Sequence, residues 1–149
     1  MKKLFFALAL LFGSTVIFAG TPPEVNQKVL KIFNETFKDP KEVNWHEYDN
    51  YYEVSFKQDE IKMQVKYDNE GNVVGTMRFY YEKELPPYIL SKIRVKYPNR
   101  SVYMITEIFS ETDLQYYVTM EDDKHWYTVV SNPIGELQQT GKFKKAPVK

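Results

Sequence analysis

Two histidines, His46 and His125, are the residues of this sequence best suited to acid–base or metal chemistry. Imidazole is the usual proton carrier near neutral pH and a common metal ligand. Both lie in segments that we predict to be strands, and 79 positions separate them, whereas an internal repeat described below has a period of 64. The two positions are therefore not equivalent, and we interpret both histidines as solvated or loosely hydrogen-bonded surface side chains.

Two acidic clusters could in principle bind a cation. Asp68-Asn69-Glu70-Gly71 resembles a fragment of a calcium loop, but it lacks the alternating ligands and the distant bidentate Glu that the ion requires. Ordinary turn chemistry explains this stretch. The second cluster, Glu121-Asp122-Asp123-Lys124, is predicted to be a solvated hairpin end. We predict no metal site and no cofactor.

Motifs of the main enzyme classes are absent from the sequence. It has no cysteine, no Gly-x-Ser-x-Gly elbow, no phosphate-binding glycine loop and no His-Glu-x-x-His helix. Nothing singles out a carboxylate pair of the kind that glycosidases use. We therefore predict that the protein is not an enzyme; an enzyme remains a third alternative, which would need an acid–base pair that the sequence does not reveal.

The first twenty residues predict export. Lys2 and Lys3 precede an apolar run from Leu4 to Phe12, and a small-residue stop follows at Ala19-Gly20, which is typical of a cleaved signal peptide. An uncleaved membrane anchor is the competing interpretation, but this apolar stretch is shorter than the roughly 20 residues of a spanning helix. The sequence predicts a periplasmic or secreted protein with no membrane contact beyond residues 1–20.

The charge balance bears on the class of partner. Without Lys2 and Lys3, the 20 basic and 20 acidic residues become 18 and 20, a formal net charge of −2. Such a surface argues against a nucleic acid or an anionic membrane as partner. The lysines near the C-terminus are interpreted as a short solvated tail.

The chain aligns with itself at a shift of 64 residues. Residues 22–79 match residues 86–143 without a gap and with twelve identical pairs, where average residue usage predicts about three to four. We therefore predict two tandem repeats, residues 21–84 and residues 85–149, the second with a short basic tail.

Each repeat is predicted to contain one helix and four strands. Thr21-Pro22-Pro23-Glu24 and Pro86-Pro87 have the chemistry of helix starts, and after each helix the apolar period changes from 3.6 to 2. Short polar joints favour hairpins, in which Gly71 and Gly135 suit a left-handed position. The predicted fold is α+β: two tandem helix-plus-four-stranded antiparallel meanders with the helices on one face, forming either one long sheet or two sheets.

Aromatic residues make up 16% of the chain, and several are predicted to project from the face without helices. Tyr, Trp and Arg dominate protein–protein hot spots because they combine a large area with a polar tip. The alternative is structural, since aromatic residues are good strand formers that pair across neighbouring strands. If positions in phase with Val54, Val65 and Phe79 face the helices, the predicted binding residues are Tyr51, Arg78, Tyr80, Tyr117 and Trp126.

The chain resembles the PepSY-like group of small exported bacterial proteins, whose fold is similar to that of the β-lactamase inhibitory protein (BLIP). The resemblance implies tandem helix-plus-four-strand repeats that form a concave sheet, no catalytic residues, and for some relatives inhibition or chaperoning of hydrolases. It does not imply a particular target. It is carried by Pro23, Phe37 to Pro40, Val43-x-Trp45, Tyr52-Glu53-Val54-x-Phe56, Tyr67-Asp68-x-x-Gly71, Pro87, Tyr97-Pro98, Tyr116-Tyr117-Val118 and Gly135.

Two functions are compatible with this reasoning. The first is a non-catalytic exported protein that binds a protein or peptide on the open sheet face. The second is a small-ligand carrier or sensor with an aromatic-lined groove between the repeats, which predicts a pocket of about 300 Å³ or more.

Overall fold

A computed structural model describes residues 24–146 of the chain. The predicted signal peptide, residues 1–20, lies outside these residues. Within residues 24–146, no helix has the length and apolar character needed to cross a membrane.

Two helices of ten residues occupy corresponding places in the order of elements. Helix α1 is Gln27–Thr36 and helix α2 is Pro87–Lys96; a short 3-10 helix, Glu82–Glu84, precedes α2. Proline at the first position of α2 fits because no N–H bond is required there. Each helix turns one apolar stripe inward, with Val29 and Phe33 buried in α1 and Ile89 and Ile93 buried in α2.

The predicted start of the first helix is wrong. Asn26 caps α1, because its side-chain oxygen accepts a hydrogen bond from the N–H of Lys28 at 2.8 Å. Glu24 and Val25, which the prediction placed inside the helix, come before this cap. Asparagine is as good an N-cap as threonine, so the sequence offers two competing starts.

Eight strands follow one another in a continuous antiparallel sheet, and each is hydrogen-bonded to the next in chain order. Short hairpins join neighbours within the first four strands and within the last four, whereas residues 81–100, which include α2, connect the fourth strand to the fifth. The strands are β1 (Lys41–Glu47), β2 (Tyr51–Gln58), β3 (Ile61–Asp68), β4 (Val73–Tyr80), β5 (Ser101–Ser110), β6 (Asp113–Glu121), β7 (His125–Ser131) and β8 (Leu137–Lys144).

The predicted fold class, two tandem helix-plus-four-strand repeats with helices on one face, is wrong. The described residues form a single, mostly β structure, one eight-stranded sheet with two helices. Strands β4 and β5 pair over six residues, from Gly75 opposite Ser110 to Tyr80 opposite Ile105. Separate four-stranded meanders would leave these two edges with unpaired N–H and C=O groups, and their pairing removes that cost.

The core lies on one face of this sheet, which we call the core face. Alternate strand residues there pack with the two helices in two clusters. One cluster includes Phe33, Val54 and Val65, and the other includes Ile93 and Val118. The side chains between these positions point the other way and form the outer face, which no helix among residues 24–146 covers.

A β-bulge in β4 reverses the alternation of its side chains. Lys66 of β3 pairs with Gly75, but the next residue, Tyr67, pairs with Val73, so Val74 is extra. Beyond a bulge, each side chain points to the opposite face from the one that strict alternation along the strand would predict. From Thr76 onward, the even-numbered residues of β4 therefore lie on the core face.

Two glycines with positive φ hold hairpin turns against the helices. Gly71 has φ +89° and Gly135 has φ +77°, so the predicted left-handed positions are confirmed. A Cβ at residue 71 would clash with Cδ1 of Ile32 in α1, whereas a Cβ at residue 135 would meet the side chain of Lys92 at 2.9 Å.

Gly71→Ala should lower the free energy of unfolding by about 2 kcal/mol, because backbone strain adds to a clash with a core side chain. Gly135→Ala should cost about 1 kcal/mol, since it suffers the same strain but the flexible end of Lys92 can move away. Urea unfolding of both variants measures the difference. Equal losses would show that the contact with α1 adds nothing to the strain of the turn.

Candidate functional site

The outer face divides into a charged half and an apolar half. On β2 and β3 its side chains are mainly polar or charged, including Glu53, Lys57, Lys62, Gln64 and Lys66. On β4 to β7 the half-buried members are mainly apolar or aromatic. We call this second set the apolar patch: Met77, Phe79, Ile108, Tyr117, Trp126 and Val130.

Contacts at the Trp126 end and at the centre of the patch hold its aromatic side chains in place. Tyr103 packs edge-on against Trp126 with ring centroids 4.9 Å apart, and the Lys145 ammonium lies 4.8 Å from the Trp126 ring. Lys145 also pairs with Glu121 at 2.6 Å. Nearer the centre, the hydroxyl of Tyr117 donates to the Gln115 side chain at 3.1 Å. Ordered aromatic groups lose little entropy when they bind.

The outer face contains three of the five predicted binding residues. Tyr117 is central, and Tyr51 and Trp126 lie on the second and seventh strands, about 24 Å apart at the usual strand spacing. Tyr51 stacks on Tyr48 with centroids 4.4 Å apart, and Lys66 lies 5.2 Å from the Tyr51 ring. Whether these residues bind a partner stays a prediction.

The predicted placement of Arg78 and Tyr80 on the open face is wrong. Both lie on the core face, because the bulge at Val74 moves the even-numbered residues of β4 inward. Tyr80 is only 3% exposed and belongs to the core cluster of α2. The same bulge turns Phe79, the reference for the prediction, outward beside Lys62.

Arg78 and Tyr80 instead form a polar cluster with Glu107 where β4 meets β5. The Arg78 guanidinium donates to both oxygens of Glu107, at 3.0 and 3.1 Å, and the Tyr80 hydroxyl donates to the same carboxylate at 2.6 Å. Burial, together with the hydrogen bond to Glu107, raises the pKa of Tyr80 far above its ordinary value. The phenol stays protonated as a donor, so the cluster ties the two strands together.

Sequence reasoning missed the apolar members of the patch, Met77, Phe79, Ile108 and Val130. The outward direction of Met77 and Phe79 depends on the bulge in β4, and that of Ile108 is set by its pairing with Met77. Val130 faces outward because it pairs with Tyr117. One signal was available: Gly75 interrupts the strand pattern directly after Val74, and a glycine inside a strand often marks a bulge.

The acidic clusters and histidines behave as turn and surface residues. Asp68 accepts the N–H groups of Glu70 and Asn72 at 3.0 and 2.7 Å, which confirms the turn interpretation. The hydrogen bond from the Asn72 side chain lowers the pKa of Asp68. His46 is exposed on the first strand and His125 lies on the seventh. No group of three potential ligands within residues 24–146 could hold a metal ion.

At the second acidic cluster, the bonds of Asp122 secure the hairpin between β6 and β7. Its carboxylate accepts the Tyr127 hydroxyl at 2.6 Å and the N–H groups of Lys124 and His125 at 2.8 and 2.7 Å. The Tyr127 bond is the main reason that the pKa of Asp122 lies far below its usual range. The predicted hairpin end is confirmed.

Two hollows open on the outer face. One, of about 210 Å³, lies over Gly75, between Gln64 and Lys66 on one side and Ile108 on the other. The second, of about 330 Å³, is lined mainly by aromatic and apolar residues, with two charged residues at its rim. Its residues are Glu60, Lys62, Phe79, Tyr80, Tyr81 and Met104.

Comparison with solved structures relates this arrangement to known folds. A BLIP-like protein from Bacteroides fragilis superposes with a TM-score of 0.60 at 17% identity, over 88% of this chain and 92% of that one. The fold is BLIP-like.

Other proteins share this BLIP-like fold. A DUF2874 family protein from Bacteroides uniformis has a TM-score of 0.58 at 16% identity, covering 80% of this chain and 89% of that one. A Bacteroides eggerthii protein provisionally described as periplasmic has a TM-score of 0.60 at 15% identity, over 81% and 89% of the two chains. No family model and no curated protein matches the chain. The PepSY-like part of the predicted resemblance therefore stays a prediction.

Proposed function

We propose that this protein is a non-catalytic, periplasmic or secreted binding protein that holds a protein or peptide partner on the outer face of its sheet. The apolar patch carries the proposal. It places Met77, Phe79, Ile108 and Tyr117 on three neighbouring strands, β4 to β6, without a covering helix among residues 24–146. Contiguous apolar area of this kind on a protein surface is typical of an interaction site.

Several observations support the non-catalytic and extracytoplasmic parts of this proposal. Three carboxylates that the structure describes, Asp68, Asp122 and Glu107, are engaged in turns or an ion pair. The BLIP-like fold and the periplasmic description of the Bacteroides eggerthii neighbour agree with the leader-like residues 1–20. Inhibition or chaperoning of a hydrolase is the finer form of the proposal, and the target class is left to experiment.

A variant in which Tyr51, Tyr117 and Trp126 are all replaced by alanine should capture at least about tenfold less of its partner from an extract of the producing cells. The reason is that aromatic side chains contribute most of the binding energy in protein interfaces. Quantitative mass spectrometry of captured proteins measures the effect, and circular dichroism checks that the fold is intact. Unchanged capture would show that the partner binds elsewhere.

The matched control removes exposed apolar side chains away from the outer face. Val95 in α2 is 80% exposed and Ile134 in the last hairpin is 66% exposed. A Val95→Ala/Ile134→Ala variant should capture the same proteins as the unmodified chain. If it loses them equally, general surface hydrophobicity is responsible and the outer face has no special role.

The second hollow favours one alternative function, a small-ligand carrier or sensor. Its volume of about 330 Å³ is of the size predicted for such a site, and residues of β3, β4 and β5 line it. Such sites are usually apolar with a few polar groups. If the protein is a carrier, a small apolar molecule bound in the hollow should shield Met104 and Tyr81 from solvent, and its binding should not require Trp126. A protein partner would need both the hollow and the region around Trp126.

A further inference from the structure

Three lysines lie directly opposite one another on the outer face. The strand register pairs Lys41 of β1 with Lys57 of β2, and Lys57 with Lys62 of β3. The same transverse line continues with Phe79 on β4, which is opposite Lys62. Like charges directly opposite each other destabilise a sheet. The arrangement therefore has a cost that the fold itself does not explain.

Neighbouring carboxylates compensate only part of this charge. Lys41 pairs with Asp39 at 2.8 Å and Lys57 pairs with Glu42 at 2.6 Å, and all four side chains are about half exposed or more. Such surface pairs contribute little and are screened by salt. Lys62 has no ion pair within residues 24–146, so it adds one uncompensated positive charge to the row.

The row of lysines ends at the larger hollow. Lys62 stands at its rim, and Phe79, Tyr81 and Met104 supply its apolar wall. The other charged rim residue, Glu60, is held by the Lys83 ammonium at 2.6 Å. Lys62 and Phe79 lie on adjacent strands, whose backbones are about 4.8 Å apart. A lysine without an ion pair therefore borders an apolar hollow of about 330 Å³, large enough for an aromatic or long aliphatic side chain.

We propose that the lysine row, Lys41, Lys57 and Lys62, recognises an acidic segment of the partner protein, and that the hollow beside Phe79 takes a neighbouring apolar side chain of that segment. This inference rests on the proposed function and specifies its partner. A carboxylate over the row relieves the repulsion between the lysines. An apolar side chain in the hollow then fixes the position of the segment and extends its contact onto the apolar patch.

The test uses a displayed library of random 12-residue peptides, selected on the folded protein at low ionic strength. We expect enrichment of sequences that place Asp or Glu within two residues of Phe, Tyr, Leu or Met. Synthetic copies of the enriched peptides should bind more weakly as salt is raised. Enrichment of basic peptides, or of apolar peptides without acidic residues, would overturn the inference.

Charge reversal supplies the matched comparison. Lys62→Glu should weaken binding of the enriched peptides at least about tenfold, because attraction becomes repulsion. Lys31→Glu is the control: Lys31 is an exposed lysine of α1 with a side chain 75% exposed, and its reversal should change binding less than about twofold. Equal losses in the two variants would indicate a general charge effect and overturn the inference.

Failure of this inference is distinguishable from failure of the proposed function. Peptides that lose binding in the Tyr51→Ala/Tyr117→Ala/Trp126→Ala variant but not in Lys62→Glu would preserve the outer-face site and reject its acidic specificity. A selection in which every enriched peptide binds both that triple variant and Lys62→Glu as well as it binds the unmodified chain would reject both.

Discussion

Replacing Phe33 with alanine is expected to lower the free energy of unfolding by about 3–5 kcal/mol, the range typical of deleting a buried aromatic ring. Phe33 is 2% exposed. Its ring centroid lies 5.3 Å from that of Phe37, 5.2 Å from that of Trp45 and 5.1 Å from that of Phe56. Alanine would leave a cavity between α1, β1 and β2, and three packed rings cannot easily collapse into it.

Urea unfolding followed by circular dichroism measures this loss. The urea concentration at the midpoint should fall, while the slope of the unfolding free energy against urea concentration should stay unchanged. Phe143→Ala is the matched control, because Phe143 lies on β8 with 62% of its surface exposed; its loss should be below about 0.5 kcal/mol. A loss under 1 kcal/mol for Phe33→Ala would mean that α1 is not anchored through this ring.

The strands were predictable because alternation is a local property. The spacing alone predicts that apolar residues of one strand share a face of the sheet, as do Val54 and Phe56 on β2 and Ile61 and Val65 on β3. The start of α2 was predictable for a similar reason, since Pro87 can occupy only a few helix positions. The start of α1 was not, because Asn26 competes as a cap with the residues before it.

The pairing of β4 with β5 across a long connection could not be predicted from the sequence. Residues 81–100, which include α2, separate β4 from β5. Nothing in the residues of either strand indicates whether they meet or end as two separate edges. The repeat of 64 residues left one long sheet and two sheets both open, and the ladder from Gly75 to Tyr80 joins all eight strands into one. Whether the repeat records a duplication stays a prediction.

The candidate site was only partly predictable for the same reason. Tyr117 and Trp126 were placed correctly on the outer face because no bulge lies between them and the residues that set their phase in β6 and β7. Arg78 and Tyr80 were misplaced by a single extra residue, Val74. The row of lysines could not be seen at all, because residues 41, 57 and 62 become neighbours only through the register of three strands.

The Arg78–Glu107 pair tests how much the join between β4 and β5 depends on its polar cluster. Arg78→Met should lower the free energy of unfolding by about 2–3 kcal/mol, because it leaves the Glu107 carboxylate, with 13% of its side chain exposed, without a counter-charge. The partial exposure of Arg78, 31%, keeps the loss below that of a fully buried pair. Urea unfolding at neutral pH measures it.

Two comparisons test whether the effect of Arg78→Met comes from the burial of the ion pair or only from the short distance between its charges. Lys83 and Glu60 form a shorter ion pair, 2.6 Å, but with side chains 61% and 74% exposed, so Lys83→Met should cost less than about 1 kcal/mol. The apolar triple variant Arg78→Met/Tyr80→Phe/Glu107→Leu removes every member of the cluster together and should recover most of the stability, since no buried charge or donor remains unpaired.

Equal small losses for Arg78→Met and Lys83→Met would show that water screens the ion pair between β4 and β5 as effectively as it screens an ion pair on the surface. A triple variant as unstable as Arg78→Met would instead show that the cluster is needed to pair the two strands, because its removal would then weaken the join even without an uncompensated charge.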